Sequence, residues 1–406
     1  MANTSLKFGN GNWAIKEDSA LAYSDQYDNF KPLPFDFSRA GSGTIVNKEG
    51  LIESVNSGLP RIDFSDSADG ALLLEPQRTN LVSYSEDFSN GTWSKTGLTV
   101  SSNQIISPDG SLNADEINIT SANAHFLFKF ISVNASTNYV LTFYAKKGTA
   151  TDVSYSIYDS TNSADIIAST SYYSQISNTN WTRITVEFTT PSGCTSVRPY
   201  PLRDGSSTGT VYIWGAQLEE QSYPTSYIPT QGSTSTRIAE TCKNSGSAQD
   251  FNSEEGVLYA EISALANDGT ERNLSLSDGT SGNRISWWFT ATDTLAVAVY
   301  SGGVLQYFTN LSVGVATNFN KIVFKYKEND FAFWVNGFKL STDTSGITPL
   351  GLSELSFHRG DDALPFYGKT KNIQVFTEAL SDEKLEYITS YRSLNELVTA
   401  LKLNTL

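Results

Sequence analysis

Apolar residues return with a period of two along most of this chain, in short runs closed by Asn, Asp, Gly and Pro. In Thr182–Thr189, the side chains Ile184, Val186 and Phe188 alternate with polar residues, and Tyr139, Leu141 and Phe143 do the same in 138–146. That period puts one set of side chains on one face of an extended strand, so it predicts half-buried β-strands. The same reading predicts strands over 124–133, 153–159, 210–218, 283–291, 295–300, 304–310, 320–328, 330–340 and 352–358. Asn336-Gly337 lies between Phe333-Trp334-Val335 and Phe338-Lys339-Leu340, which is a two-residue hairpin signal. Turn signals at Pro108-Asp109-Gly110, Asn178-Thr179-Asn180 and Asp204-Gly205-Ser206-Ser207 separate the runs. Such spacing belongs to antiparallel sandwiches.

A chain of 406 residues holds two or three domains. Residues 1–75 read as short strands and turns that cannot make a core alone. Trp13, Phe30, Phe35 and Phe37 are costly to leave in water, so this segment is expected to dock on another body. Residues 76–230 form one sandwich, 231–253 a linker opened by Gln231-Gly232-Ser233-Thr234-Ser235-Thr236, and 254–380 a second sandwich. At 381–406 the period changes to that of helices. Ser381 is placed to cap a helix carrying Leu385, Ile388 and Tyr391; Ser393-Leu394-Asn395-Glu396 is a capping box before Leu397, Val398 and Leu401. Each helix has one apolar stripe, which suits either the sandwich or the same helix of a neighbouring copy. The predicted class is all-β: two tandem antiparallel β-sandwiches, an irregular N-terminal segment and short C-terminal helices.

Charge and composition exclude several functions. The net charge is −15, with 28 basic against 43 acidic residues, and no basic run tracks a phosphate backbone. No apolar stretch approaches the 18 residues of a membrane span, and no secretory signal pattern is expected from the first residues. Aromatic residues make up 12% of the chain, which argues against disorder. With two cysteines, Cys194 and Cys242, there is no disulfide framework and no Cys-based zinc site, and two reduced thiols are expected. His125 and His358 are the whole histidine complement, so triad and multi-His metal chemistry lacks raw material.

Several long phrases carry a resemblance. Phe37-Ser38-Arg39-Ala40, Asn47-Lys48-Glu49-Gly50-Leu51-Ile52 and Leu59-Pro60-Arg61-Ile62-Asp63 lead into Leu72-Leu73-Leu74-Glu75-Pro76-Gln77-Arg78-Thr79-Asn80-Leu81. Tyr84-Ser85-Glu86-Asp87-Phe88 and Trp93 continue the series. It closes with Trp214-Gly215-Ala216-Gln217-Leu218-Glu219-Glu220 and Tyr223-Pro224-Thr225-Ser226-Tyr227-Ile228-Pro229-Thr230. The opening phrases resemble the segment before carbohydrate-binding jelly rolls of bacteriophage fibre and tail or head-fibre proteins, and the closing phrases resemble the end of that domain type. Through Lys325–Phe338, Phe366-Tyr367-Gly368-Lys369-Thr370-Lys371-Asn372-Ile373 and Ala379-Leu380-Ser381-Asp382-Glu383-Lys384-Leu385, residues 254–392 resemble a concanavalin A-like (laminin G-type) sandwich, and residues 1–34, with Leu6-Lys7-Phe8-Gly9-Asn10-Gly11-Asn12-Trp13, look like a virion-attachment start. The resemblance implies a non-catalytic virion fibre protein, made in the host cytoplasm and carried on the exterior of the particle. Its implied partners are host surface polysaccharide, other virion proteins through the N-terminal segment, and further copies of itself in a trimer or dimer. No nucleic acid and no membrane insertion are expected. A decoration fibre without a ligand and a polysaccharide depolymerase are the rival readings.

Glycans are held by aromatic faces beside planar polar groups. Tyr155 and Tyr158 fall on opposite faces of one strand; Arg198 and Tyr200 share a face, with Arg203 close by in sequence. Of Trp287 and Trp288, one indole must point in and one out. His358 and Arg359 open a polar loop that ends at Asp361-Asp362. Trp181, Trp214 and Trp334 read as structural, with Trp214 expected on the core side with Tyr212, Ala216 and Leu218. Hydrolysis needs two carboxylates about 5–10 Å apart. The pairs Asp361-Asp362, Glu254-Glu255 and Glu219-Glu220 are sequence neighbours that point apart in a strand, so no catalytic residue is assigned. No cofactor is implied beyond a structural calcium ion, which the jelly-roll resemblance brings with it; Asp87 and Glu219 are its nearest metal ligands by position.

Overall fold

The computed structural model describes residues 4–26, 29–204, 207–290 and 293–400. Leu401, Gly205, Ser206 and Ala291, all named above, lie outside them. The described chain is almost entirely β, in several antiparallel sheets, with two short helices, Asp382–Thr389 and Leu394–Ala400. It divides into two units: Met1–Ser42, Val55–Pro76 and Ala239–Leu406 form one, and Gly43–Ser54 with Gln77–Ile238 forms the other.

In the first unit a 12-stranded sheet faces a 5-stranded one. The strand Gly368–Phe376 is the spine of the larger sheet. One edge of it pairs with Glu255–Ala264. The other edge pairs with Thr4–Gly9 (Phe8 opposite Ile373) and with Ala71–Leu74 (Leu73 opposite Lys369). Leu6, Phe8, Ala20, Ala22, Leu33, Phe35 and Phe37 all turn inward onto Leu258, Trp287, Phe324 and Ile373. Residues 1–75, read in sequence as a segment apart, are thus mostly strands of the C-terminal sandwich. The sheets do not sort clearly into two discrete jelly rolls. The physical reason is the open edge of Gly368–Phe376, whose backbone groups need partners and whose core face needs cover. Of the four aromatics expected to dock, Phe35 and Phe37 are buried and Trp13 packs edge-on against Phe8 at 5.4 Å, but Phe30 is 76% exposed.

Glu255–Ala264 is apolar on both faces. Leu258, Ala260 and Ile262 enter the main core, while Val257 and Tyr259 look the other way. The helix Asp382–Thr389 covers that second face with Leu385 and Ile388, which gather with Val323, Trp334 and Leu380. The apolar stripe of this helix is therefore spent on its own sandwich. Ser381 takes the cap position without a side-chain bond, whereas Ser393 Oγ accepts the Glu396 amide as a capping box requires. Asn336 and Gly337 have φ of 51° and 88°, the two positive values of a type I′ hairpin between Phe331–Val335 and Phe338–Asp343.

A polar knot also closes this unit. Glu240 accepts from Arg39 Nη1 and Arg61 Nε, each at 2.7 Å, and Arg61 Nη2 lies 2.8 Å from Glu75. The side chains of Arg39, Arg61 and Glu240 have no exposure. Arg39 satisfies all five donors: Nε to Gly41, Nη1 to Leu59 and Glu240, and Nη2 to Val55 and Asn56.

The second unit sets a 5-stranded sheet, in the order Leu98–Ile106, Leu112–Ile119, Gly209–Glu220, Asn138–Lys147, Thr182–Thr189, against two smaller sheets. One smaller sheet contains Ser196–Tyr200, Ser154–Asp159 and Ala164–Ser171; the other contains Phe126–Phe128 and Leu202–Arg203. Ile117, Leu141, Phe143, Ile157, Val186, Val197 and Ile213 fill the space between. One expectation changes here. The register slips between Thr142 opposite Gln217 and Tyr144 opposite Trp214, and Gly215 has φ +65°. This bulge reverses the faces, so Ala216 and Leu218 point to the core while Trp214 packs outside it with Tyr144 and Tyr227. Within 231–253, read as a linker, Ser235–Arg237 pairs with Arg78–Asn80 and Thr241–Lys243 pairs with the strand Lys31–Ser38. Cys194 and Cys242 are free and buried.

Candidate glycan-binding face

The outer face of Ser154–Asp159 and Ser196–Tyr200 carries the densest set of sequence-predicted residues. Alternation along the first strand sends Ile157 into the core and Tyr158 outward; along the second it sends Val197 inward and Arg198 outward. The two strands pair with Tyr158 opposite Arg198. The Arg198 guanidinium lies over the Tyr158 ring at 4.2 Å and within 5.4 Å of both the Phe128 and Phe130 rings. Its Nε donates to Ser160 Oγ at 3.1 Å. Tyr200 meets Phe128 at 4.8 Å and Phe126 at 6.2 Å. Arg203 closes the group, 5.0 Å from the Tyr200 ring and 5.6 Å from that of Tyr158.

The two arginines differ in their partners. Arg203 forms an ion pair with Asp165, sits 3.6 Å from Asp204 and donates to Ser156 Oγ at 3.1 Å. Arg198 has no carboxylate in contact among the described residues. Burial raises the pKa of the Tyr200 phenol, against the opposing pull of Arg198 and Arg203. Tyr200 is 5% exposed and acts as the floor of the group, while Phe130, 60% exposed, is its open rim.

Phe126, Phe128 and Phe130 were not singled out from the sequence, although their signal was there. They occupy every second position, and the residues between them, Leu127 and Lys129, are buried. An aromatic stripe opposite a buried one is what a strand with an exposed ring face looks like.

The other predicted residues go elsewhere. Tyr155 faces inward and stacks on Tyr172 at 6.2 Å. Trp287 is wholly buried in the first unit's core and offers no face to a ligand, because Leu274 and Val297 flank it on neighbouring strands. Trp288 is half-buried on the opposite face, 6.3 Å from Phe308. His358 is buried: its Nδ1 accepts the Gly360 amide at 3.0 Å, and burial holds its pKa below the ordinary value. Arg359 is held by Asp361 through two bonds, and Asp362 lies 2.6 Å from Lys243. This carboxylate pair is consumed by ion pairing.

Glu219 is fully buried, with Oε2 accepting from Gln217 at 2.7 Å and from the Thr225 amide at 3.0 Å. Asp87 caps a turn by accepting from Ser89 and the Asn90 amide. Asp87 also lines a cavity of about 470 Å³ with Glu86, Asp115 and Tyr84, and Glu219 does not. Among the described residues, no three His, Cys, Asp or Glu side chains converge as a metal site. Asp115 is held by the amides of Phe88 (2.8 Å) and Asn103 (3.1 Å), and burial pushes its carboxyl up to about 6; burial also raises that of Glu86.

No protein-family model matches the chain, and no curated protein matches it. Among solved structures, it is similar to CBM40 of the Ruminococcus gnavus IT-sialidase bound to α2,3 sialyllactose, at 17% identity, over 36% of this chain and 94% of that one, with a TM-score of 0.32. It is also similar to a heptameric SAP-like pentraxin of Limulus polyphemus, at 11% identity, over 35% and 72% of the chains, TM-score 0.29. A third is the enzymatically active domain of bacteriophage CBA120 tailspike protein 4, at 18% identity, over 34% and 21%, TM-score 0.26.

Proposed function

We propose that this chain binds glycans without cleaving them, as a structural fibre protein on the exterior of a bacteriophage. The observation that carries the binding reading is the outer face of the second unit, where Arg198 lies at 4.2 Å over Tyr158 beside the exposed Phe130 ring. Aromatic faces take the C–H side of a sugar, and a planar donor beside them takes its oxygens. The fibre reading rests on the phrases running from Phe37 to Thr230, which resemble those of phage fibre proteins. On this reading the partners are host surface polysaccharide, other virion proteins and further copies of the chain. Repetition of weak sites along an oligomer supplies the adhesion.

The non-catalytic part rests on the carboxylates. Asp361 and Asp362 are spent on Arg359 and Lys243. A hydrolytic reading would fall on the acid-lined cavity, where Asp115 has a raised pKa. Both Asp115 oxygens accept backbone amides and the residue is 1% exposed, so it serves the fold rather than a substrate.

The test is binding of the purified protein to a glycan array and to extracted bacterial surface polysaccharide, with reducing ends followed in the same samples. Saturable binding with no new reducing ends is expected. Absence of binding to every glycan overturns the reading, and release of reducing ends overturns its non-catalytic part.

A further inference from the structure

We infer that the Tyr158–Arg198 face selects acidic glycans, with the Arg198 guanidinium gripping a sugar carboxylate; this rests on the glycan-binding reading above. Three observations converge. Among the described residues, Arg198 uses only Nε, toward Ser160, and its two Nη groups have no acceptor. Stacking on Tyr158 at 4.2 Å, with Phe128 and Phe130 each at 5.4 Å, fixes the plane of the guanidinium and lowers the ordering cost of binding. Its neighbour Arg203 is already neutralised by Asp165 and Asp204, so Arg198 is the cation of the pair left for a ligand.

A planar fork with both Nη groups free offers one N–H edge that matches a carboxylate through two parallel bonds, which a neutral hydroxyl cannot reproduce. The carboxylate of a uronic or nonulosonic acid stands at the edge of its ring, so the sugar can lay its C–H face on Phe130 while its acid meets Arg198. In a chain of net charge −15 the overall field repels an acidic polymer, so discrimination must come from this local contact.

The experiment measures binding of the full chain to oligogalacturonate and hyaluronan oligosaccharides, and to the same oligosaccharides after carboxyl reduction to neutral sugars. Wild type is expected to bind the acidic forms at least tenfold more tightly. Arg198→Ala should remove that preference, so that the acidic forms bind no more tightly than the neutral ones. Arg198→Lys, which keeps the charge but not the fork, should fall between. Thermal unfolding of both variants controls for folding. Equal binding of acidic and reduced forms, a preference that survives Arg198→Ala, or tighter binding to a sulfated glycan without carboxylates overturns the assignment and leaves the glycan reading standing. Failure of wild type to bind any glycan, acidic or neutral, sinks the glycan reading itself.

Discussion

Two clusters in this molecule are each built on a pair of arginines, and they are partnered in opposite ways. In the first unit Arg39 and Arg61 are fully buried against Glu240 and Glu75. In the second, Arg198 and Arg203 lie over Tyr158 and Tyr200 on an outer face. Arg39 spends all five donors on protein acceptors, whereas Arg198 spends one. Burial works against the charge on Arg61, yet Glu240 and Glu75 overcome it and hold its pKa above the ordinary value. The buried pair is an internal fastening with nothing left to offer. The outer pair is mounted on rings and keeps donors in reserve. Unspent hydrogen-bonding capacity, rather than residue type, separates the fastening from the proposed binding face.

The sharpest way to break this comparison is through Glu240. It joins Arg39, Arg61 and the Glu75 amide, so Glu240→Ala leaves two buried cations with Glu75 as their one remaining carboxylate. A loss of about 3–5 kcal/mol is expected in chemical denaturation, since removing one partner of a buried pair leaves its charge uncompensated. A loss under about 1 kcal/mol would mean that water replaces the carboxylate and that the knot is no fastening. Arg198→Ala is the counterpart. Its structural cost is the ring contact, about 0.5–1 kcal/mol, while binding of acidic glycans should fall at least tenfold. The reverse pattern, a large stability loss with binding intact, would place Arg198 with the fastenings.

Much of this contrast escapes a local reading of the sequence. The phrases around Arg39, Arg61 and Glu75 stand out as a resemblance, but their meaning depends on Glu240, which lies 201 residues beyond Arg39. Strand periods were legible because the alternation is local: Thr182–Thr189 and the Asn336-Gly337 hairpin follow from side-chain parity and turn sterics. Partners were not legible. Thr4–Gly9 joins Gly368–Phe376 across the length of the chain, and only an unpaired edge in three dimensions calls for it. Trp214 was placed on the wrong face because one extra residue at Gly215 reverses parity, and a bulge has no signal beyond a glycine. At the candidate site, the shared face of Arg198 and Tyr200 follows from the period of two. Tyr155 and Trp287 were equally aromatic in sequence, and burial alone removed them.

Asp115 offers an intermediate case, a buried charge answered by backbone amides instead of a cation. Its folded pKa of about 6 lies above the unfolded carboxylate value of 3.8. The folded state therefore binds more protons between those values, and stability falls as pH rises from about 4 to 6, then levels off. Acidifying from pH 7 to pH 5 should stabilise the fold through this group, by at most about 1.4 kcal/mol per pH unit, and so raise the unfolding temperature, with Glu86 acting in the same direction. Calorimetry of the full chain at both values, for wild type and Asp115→Asn, checks it. An undiminished pH slope in the variant would show that Asp115 is not the source.

The finest test separates the two outer arginines. If Arg203 is neutral toward a ligand only because Asp165 and Asp204 hold it, then Asp165→Asn should free part of its charge. The ion pair is half-exposed, so the stability change should stay within about 1 kcal/mol. Affinity for an acidic oligosaccharide should rise about two- to threefold, most visibly at low salt, where exposed charges act over a longer range. Arg203→Ala should instead weaken binding only about twofold, by loosening Tyr200 and Tyr158 beneath the ligand. Should Arg203→Ala cost as much as Arg198→Ala, and Asp165→Asn leave affinity unchanged, the two arginines would act as one unit. Selection would then come from the shape of the ring platform and not from the single unspent fork.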